Sequence, residues 1–391
     1  MSGIVFKNAA IYTENEIIEN GFLVMKDGKI TDIGSMDRFS DPNGSLEAIT
    51  LDKGAKILPG FIDVHIHGAG GADTMDGTTD AIKTMAVTLP KEGTTSFLAT
   101  TMTQSEEAIV AALRNAADYI DSADNDAEAE VLGIHLEGPF INPSKKGAQP
   151  EEHIIAPSIE VFEKWQKEAN QHIKLVTVAP EMENGLEFIK HLAKQSVTAS
   201  IGHTDSTYED VKAAVEAGAT QVTHLFNGMR SMHHREPGTA GAALLFDELK
   251  VELISDGIHI RPEMIDLAVR TKGSDGALLI TDAMRAKCLK AGRYELGGQP
   301  VNVADGKATL DDGTLAGSIL RMIDSVKNML QFTGLSLAEI SKLASANPAK
   351  QIGMYDRKGS ITVGKDADLV VLSPELDIEM TICRGQIAHK A

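Results

Sequence analysis

GFIDVHIHG (residues 60–68) carries two histidines two positions apart in an otherwise apolar run. Read as a strand, it places Asp63, His65 and His67 on one face and Ile62, Val64 and Ile66 on the other. Two readings are open from this run alone. One is a polar face satisfied by hydrogen bonds; the other is a pair of imidazoles aimed at a metal, for which neutral imidazole is the commonest ligand. The flanking sequence has to separate them.

Downstream come seven more apolar runs of strand length: TTSFLAT, VLGIHLE, IKLVTVA, VTASIGH, QVTHLF, KVELISD and GALLITD. Amphipathic patterns such as SEEAIVAALRNAADYID and STYEDVKAAVEAG lie between them. Eight strands alternating with crossover helices predict an α/β fold, a (β/α)8 TIM-like barrel over residues 59–350. An open doubly wound sheet ranks second, because no glycine-rich phosphate or dinucleotide fingerprint opens the first strand–helix turn. The flanks, residues 1–58 and 351–391, share a different texture of short β-like runs broken by Gly, Asn and Asp. They predict one small β-sandwich domain assembled from both termini. Residues 285–313 resemble a β-hairpin insertion, with GGQ and ADGK supplying the turns.

Composition narrows the function. The 391 residues are 42% hydrophobic and 24% charged, a globular balance, with a formal net charge of −19. That charge argues against nucleic acid or an anionic membrane as partner. No apolar run approaches a membrane span and no signal-peptide pattern opens the chain, so a cytoplasmic location is expected. Cys288 and Cys383 form no disulfide framework and no C-x-x-C motif, and are expected to be inert thiols.

Chemistry in such a barrel sits at the C-terminal strand ends. The first strand ends in His65 and His67, the third in Glu137, the fifth in His203, the sixth in His224 and the eighth in Asp282. Asp256 and His259 follow the seventh. His135 lies two residues deeper than Glu137 and reads as a core or supporting group, and Glu181 as a supporting residue or a helix N-terminal acid. Histidines with Glu and Asp suit one or two divalent cations, Zn or Fe ahead of Mn or Co, rather than Mg or Ca. The chemistry expected is metal-assisted hydrolysis, since a bound cation lowers the pKa of water from 15.7 to roughly 7. Asp282 is then placed to carry the proton. The loop HLFNGMRSMHHREPGTAG packs Asn227, Gly228, Arg230, His233, His234 and Arg235 together, a basic cluster suited to an anionic substrate group. A loop-stapling network or a subunit contact is the alternative.

PGFIDVHIHG near the start and GSITVGKDADLVVL near the end resemble the amidohydrolase superfamily. Within it, HLEGPF, GHTDS, THLFNGM, REPG, ISDGIHI, LITDAM and LAGS resemble the N-acetylglucosamine-6-phosphate deacetylases. The resemblance implies a homodimeric, metal-dependent enzyme that removes acetate from N-acetyl-D-glucosamine 6-phosphate by metal-bound hydroxide. It assigns Glu137, His203 and His224 to the principal metal and His65 and His67 to a second, with Glu137 bridging. Asp282 becomes the acid/base, while His259 contacts the sugar and steadies the reacting carbonyl. Asn227, Gly228 and Arg235 hold the sugar phosphate, Leu315 and Ala316 line the acetyl pocket, and Arg230, His233 or His234 reach a neighbouring subunit's phosphate. Gln149 stands in KKGAQPEE where some members carry a carbonyl-polarising histidine, and the resemblance makes it a substrate-binding residue, with the metal or His259 as substitutes for the carbonyl contact. The rivals are another amidohydrolase, such as a deaminase or cyclic-amide hydrolase, and a non-catalytic scaffold.

Overall fold

The computed structural model describes residues 3–122 and 127–391. All eight expected runs are strands: Phe61–Ile66, Thr94–Thr100, Glu130–Glu137, Ile173–Val178, Thr198–Ile201, Gln221–Val222, Lys250–Ile254 and Ala277–Ile280. They pair in parallel in chain order. The sheet closes on itself where Asp282 N–H donates to the His65 carbonyl at 2.8 Å and His67 N–H to the Ala283 carbonyl at 2.9 Å. This closure excludes the open sheet and brings every C-terminal strand end to one mouth.

Several helices begin where side chains satisfy their first amides. Ser105 caps Glu106–Asp121, and Thr207 with Asp210 forms a capping box on Tyr208–Ala217. The first of these buries Ile109, Ala112, Leu113, Ala116 and Ala117, the face that its apolar periodicity marks out. Gly218, at φ 111°, ends the second helix in a conformation open to glycine.

Strands from both termini form a second eight-stranded sheet. Its two halves meet where Lys56–Pro59 pairs antiparallel with Leu369–Leu372. It has an apolar core of its own, including Phe6, Ile11, Leu23, Met25, Ile57, Leu369, Val371 and Ile382. An ion-pair cluster joins it to the barrel: Glu130, opening the third barrel strand, meets Arg357 at 2.6 Å and Lys358 at 2.7 Å.

The insertion is larger than the expected hairpin. Gly292–Leu296, Gln299–Ala304 and Lys307–Thr309 make a three-stranded antiparallel sheet. Both turn stretches are used, Gly297–Gly298 and Asp305–Gly306, each with positive φ at both positions. The sheet reaches the mouth of the barrel, where Gln299 Nε2 donates to the Ala148 carbonyl at 2.6 Å.

Candidate active site

A cavity of about 240 Å3 opens at the C-terminal end of the barrel, with His67, Glu137, His203, His224, His259 and Asp282 in its wall. A larger one, about 410 Å3, is lined by Pro59 and Asp275, which precede the first and last barrel strands, and so lies at the opposite end. It contains no histidine.

His203, His224 and Asp282 lie just beyond their strands in the left-handed region, at φ 46°, 30° and 47°. Each costs of order 1–3 kcal/mol in a non-glycine residue. Nearby hydrogen bonds hold them there. Glu181 accepts from Asn142 Nδ2, Thr204 Oγ1, the Asp205 amide and Ser206 Oγ at 2.5–2.9 Å, bracing the segment that follows His203. That settles its two sequence readings in favour of a supporting role.

The ring nitrogens show what the cluster lacks. His203 Nδ1 faces the Lys145 carbonyl at 2.8 Å, and His224 Nδ1 faces the Asn227 carbonyl at 3.1 Å. A carbonyl only accepts, so in each neutral ring the hydrogen sits on Nδ1 and Nε2 carries a lone pair. The two Nε2 atoms lie 3.1 Å apart, and each is 3.2 Å from Glu137 Oε1. Three acceptors facing one another need a positive charge between them, a proton or a metal cation.

Beside them, His67 Nε2 stands 3.2 Å from both Glu137 Oε2 and Asp282 Oδ1. His65 Nε2 is 3.4 Å from Glu137 Oε1 and from Asp282 Oδ1, and has no hydrogen-bond partner among the described residues. Two triads result, Glu137–His203–His224 and His65–His67–Asp282, each with its ligand atoms within 4.8 Å of one another. The donor sets fit two divalent cations of the nitrogen- and oxygen-binding kind. Burial opposes ionisation throughout. Even so, His65, His203 and His224 hold the Glu137 carboxyl well below the usual range, and Asp282 with Glu137 lifts His67 to about 10.

Glu252 was not singled out from the sequence. It is fully buried within the seventh strand and accepts from Gln221 Nε2 at 2.6 Å and the His224 amide at 3.0 Å. It also lies 3.0 Å from His65 Nδ1, fixing that ring as the carbonyls fix the others. The only signal was a charge inside an apolar run, KVELIS. His135 is buried against His65, ring centroids 4.5 Å apart, and contacts Thr177 Oγ1 at 2.8 Å, so it belongs to the support.

The remaining expected residues divide. His259 lines the cavity, with Nδ1 2.6 Å from Asp256 Oδ2, so Nε2 is left as its working atom. Asn227 and Gly228 also line it. A Cβ on Gly228 would sit 3.1 Å from His203 Nδ1, and its φ is 57°, so the chain passes over the ring only as glycine. Gln149 lines the cavity and donates to Glu137 Oε2 at 2.8 Å. Leu315 is in the wall too, whereas Ala316 turns into the core beneath the three-stranded sheet, with Met102 and Leu296. Arg230 is held by Asp205 at 2.7 Å. His233, His234 and Arg235 are exposed and outside the cavity wall, with Arg235 NH1 2.8 Å from His234 Nε2.

The chain matches the amidohydrolase family model over residues 57–388. It is 50% identical to the N-acetylglucosamine-6-phosphate deacetylase of Bacillus subtilis, over 98% of this chain and 97% of that one. It is 38% identical to the N-acetylgalactosamine-6-phosphate deacetylase of Escherichia coli O157:H7, over 86% and 89%. The crystal structure of the N-acetylglucosamine-6-phosphate deacetylase from Pasteurella multocida superposes over the whole of both chains, with a TM-score of 0.92 at 32% identity. The closed parallel barrel, the sheet built from both termini and the histidine–carboxylate mouth thus come together in a chain that belongs to the amidohydrolase family.

Proposed function

We propose that this enzyme hydrolyses N-acetyl-D-glucosamine 6-phosphate to acetate and D-glucosamine 6-phosphate. The observation that carries the reading is the pair of facing Nε2 atoms on His203 and His224, 3.1 Å apart beside Glu137, in a cavity that Asp282 also lines. The names of the similar deacetylases supply the substrate class.

Glu137, His203 and His224 would hold one divalent cation, and His65, His67 and Asp282 a second. Bound there, a cation of the Zn2+ or Fe2+ type lowers the pKa of a water and polarises the amide carbonyl. The side chains do the rest. Asp282 takes the proton from the attacking water and delivers it to the departing amine nitrogen. His259 is lifted towards its charged form: burial resists, but the bond to Asp256 outweighs it, so Nε2 can donate to the carbonyl oxygen as negative charge develops. Asn227 and the backbone at Gly228 hold the sugar. Leu315 bounds the acyl methyl, with Ala316 packed behind it. Arg235 binds the phosphate in a homodimer, and Arg230, His233 and His234 lie on the same loop, where the neighbouring subunit's phosphate would pass.

The test is acetate release from N-acetylglucosamine 6-phosphate, with metal content measured on the same sample and the galactosamine epimer run in parallel. Acetate and glucosamine 6-phosphate should appear in equal amounts and stop on chelation. Metal-loaded protein that releases no acetate from this substrate overturns the reading. Preference for the epimer would redirect it to the galacto series.

A further inference from the structure

Gln149 is buried, and both ends of its amide are committed. Its Oε1 accepts from the backbone N–H of Thr103 at 2.8 Å, just beyond the second strand. A backbone amide can only donate, so the amide oxygen must face Thr103 and the NH2 must face Glu137 Oε2, 2.8 Å away. The orientation follows from chemistry.

This leaves the two oxygens of Glu137 in different surroundings. Oε1 lies 3.2 Å from His203 Nε2 and His224 Nε2 and 3.4 Å from His65 Nε2. Oε2 lies 3.2 Å from His67 Nε2, with the Gln149 amide beside it. A carboxylate pinned at one oxygen cannot rotate to offer both to the same cation. Freed of that bond, Glu137 could turn both oxygens towards His203 and His224 and withdraw from the other triad.

We propose that Gln149 is a positioning residue that holds Glu137 astride the two triads, so that retention of a second divalent cation at His65, His67 and Asp282 depends on its amide. This rests on the two-cation reading above. It gives Gln149 a task other than touching substrate.

The experiment is equilibrium dialysis of Zn2+-loaded protein against a graded zinc buffer, with metal per chain as the readout. Wild type should hold two equivalents. Gln149→Met, similar in size but without donors, should keep the first and bind the second about 10–100-fold more weakly, the usual cost of losing a partner of a metal ligand. Gln149→Asn keeps an amide but is one methylene short of spanning Thr103 and Glu137, and should behave alike. Misfolding would remove both equivalents and lower the melting temperature, so loss of one equivalent alone marks positioning. A Gln149→Met protein that binds its second Zn2+ as tightly as wild type overturns the proposal while leaving the two-cation reading intact. Wild type that holds a single equivalent overturns both.

Discussion

Two groups of buried carboxylates lie along the first barrel strand and are neutralised in opposite ways. At the seam between the first and eighth strands, Asp63 and Glu92 share Lys287, whose ammonium is 2.6 Å from Glu92 and 3.9 Å from Asp63, all three fully buried. At the mouth, Glu137, Asp282 and Glu252 are also buried, yet among the described residues their only ion-pair partners are imidazoles. A carboxylate taken out of water needs a compensating charge, or several kcal/mol are lost. The seam carries its cation in the chain. The mouth leaves that place to a ligand, and a lysine there would fill the position that the chemistry requires. Buried acids of one residue type thus serve the fold in one place and the reaction in another, and the nearest protein cation tells them apart.

Neutralising one charged side chain on each side should separate the two roles. Asp282→Asn removes a mouth carboxylate with almost no change of shape. Its turnover should fall by about 10^2–10^4-fold, the span of general acid–base catalysis. Its melting temperature, compared with wild type after chelation of both proteins, should stay near that of wild type. Steady-state kinetics beside a thermal melt checks this, and retention of more than about a tenth of the wild-type kcat would remove Asp282 from the proton-transfer role. Lys287→Met does the reverse. It strands two buried acids at the seam, where breaking a buried pair costs about 3–5 kcal/mol. Chemical denaturation should show that loss, with added metal failing to restore it. A variant as stable as wild type would mean that the seam acids take up protons at no cost.

The ion-pair cluster between the two sheets offers a finer comparison, because there the protein cations outnumber those at the seam. Burial resists the charge on Glu130, but Lys358 and Arg357 prevail and hold its carboxyl at about 2, against 4.5 unperturbed. A depressed folded pKa means that the stabilisation is present above the unfolded value and is lost as pH falls from about 4.5 through about 2. At 1.36 kcal/mol per pKa unit this amounts to ~3 kcal/mol. Glu130→Gln should therefore cost stability at pH 7 and progressively less towards pH 2. Denaturation midpoints for both proteins across that range test it, and a difference that stays constant with pH would place the cost in packing instead.

Much of this was legible from the sequence, for a geometric reason. In a closed parallel barrel every C-terminal strand end reaches the same mouth, so His65, His67, Glu137, His203, His224 and Asp282 could be brought together without knowing any partner. Partners were a different matter. His65 and Glu252 are 187 positions apart, and Gln149 meets Thr103 across 46. Such pairs exist only after the barrel closes, and no local periodicity encodes them. The same limit explains smaller differences. Leu315 and Ala316 belong to no strand, only to an isolated bridge from Leu315 to Thr309, so no run of alternation says which one faces the cavity, and the cavity takes Leu315. Lys307–Thr309, at three residues, was too short to register as a strand of its own. For Arg230 the sequence leaves open a phosphate contact or a loop-stapling role, and its partner Asp205, 25 positions away, appears only once the loop is folded.

Arg235 should show the smallest effect, and it sharpens the contrast between cations that hold the fold and cations that hold a ligand. It is exposed and among the described residues touches only imidazoles of its own loop, His234 Nε2 at 2.8 Å through NH1 and His233 Nδ1 at 3.3 Å through its backbone amide. With no carboxylate to satisfy, its charge is available to an anion, but water screens it. A charge-assisted bond in that setting is worth about 1 kcal/mol, or roughly fivefold in binding. Arg235→Ala should therefore raise KM for the phosphorylated sugar about fivefold, leave kcat and the melting temperature unchanged, and have no effect on unphosphorylated N-acetylglucosamine. The measurement is KM for both sugars on both proteins at low and high salt, because a screened contact should fade as ionic strength rises. If the variant raised KM equally for the two sugars, Arg235 would be shaping the loop and the phosphate would have to be held elsewhere.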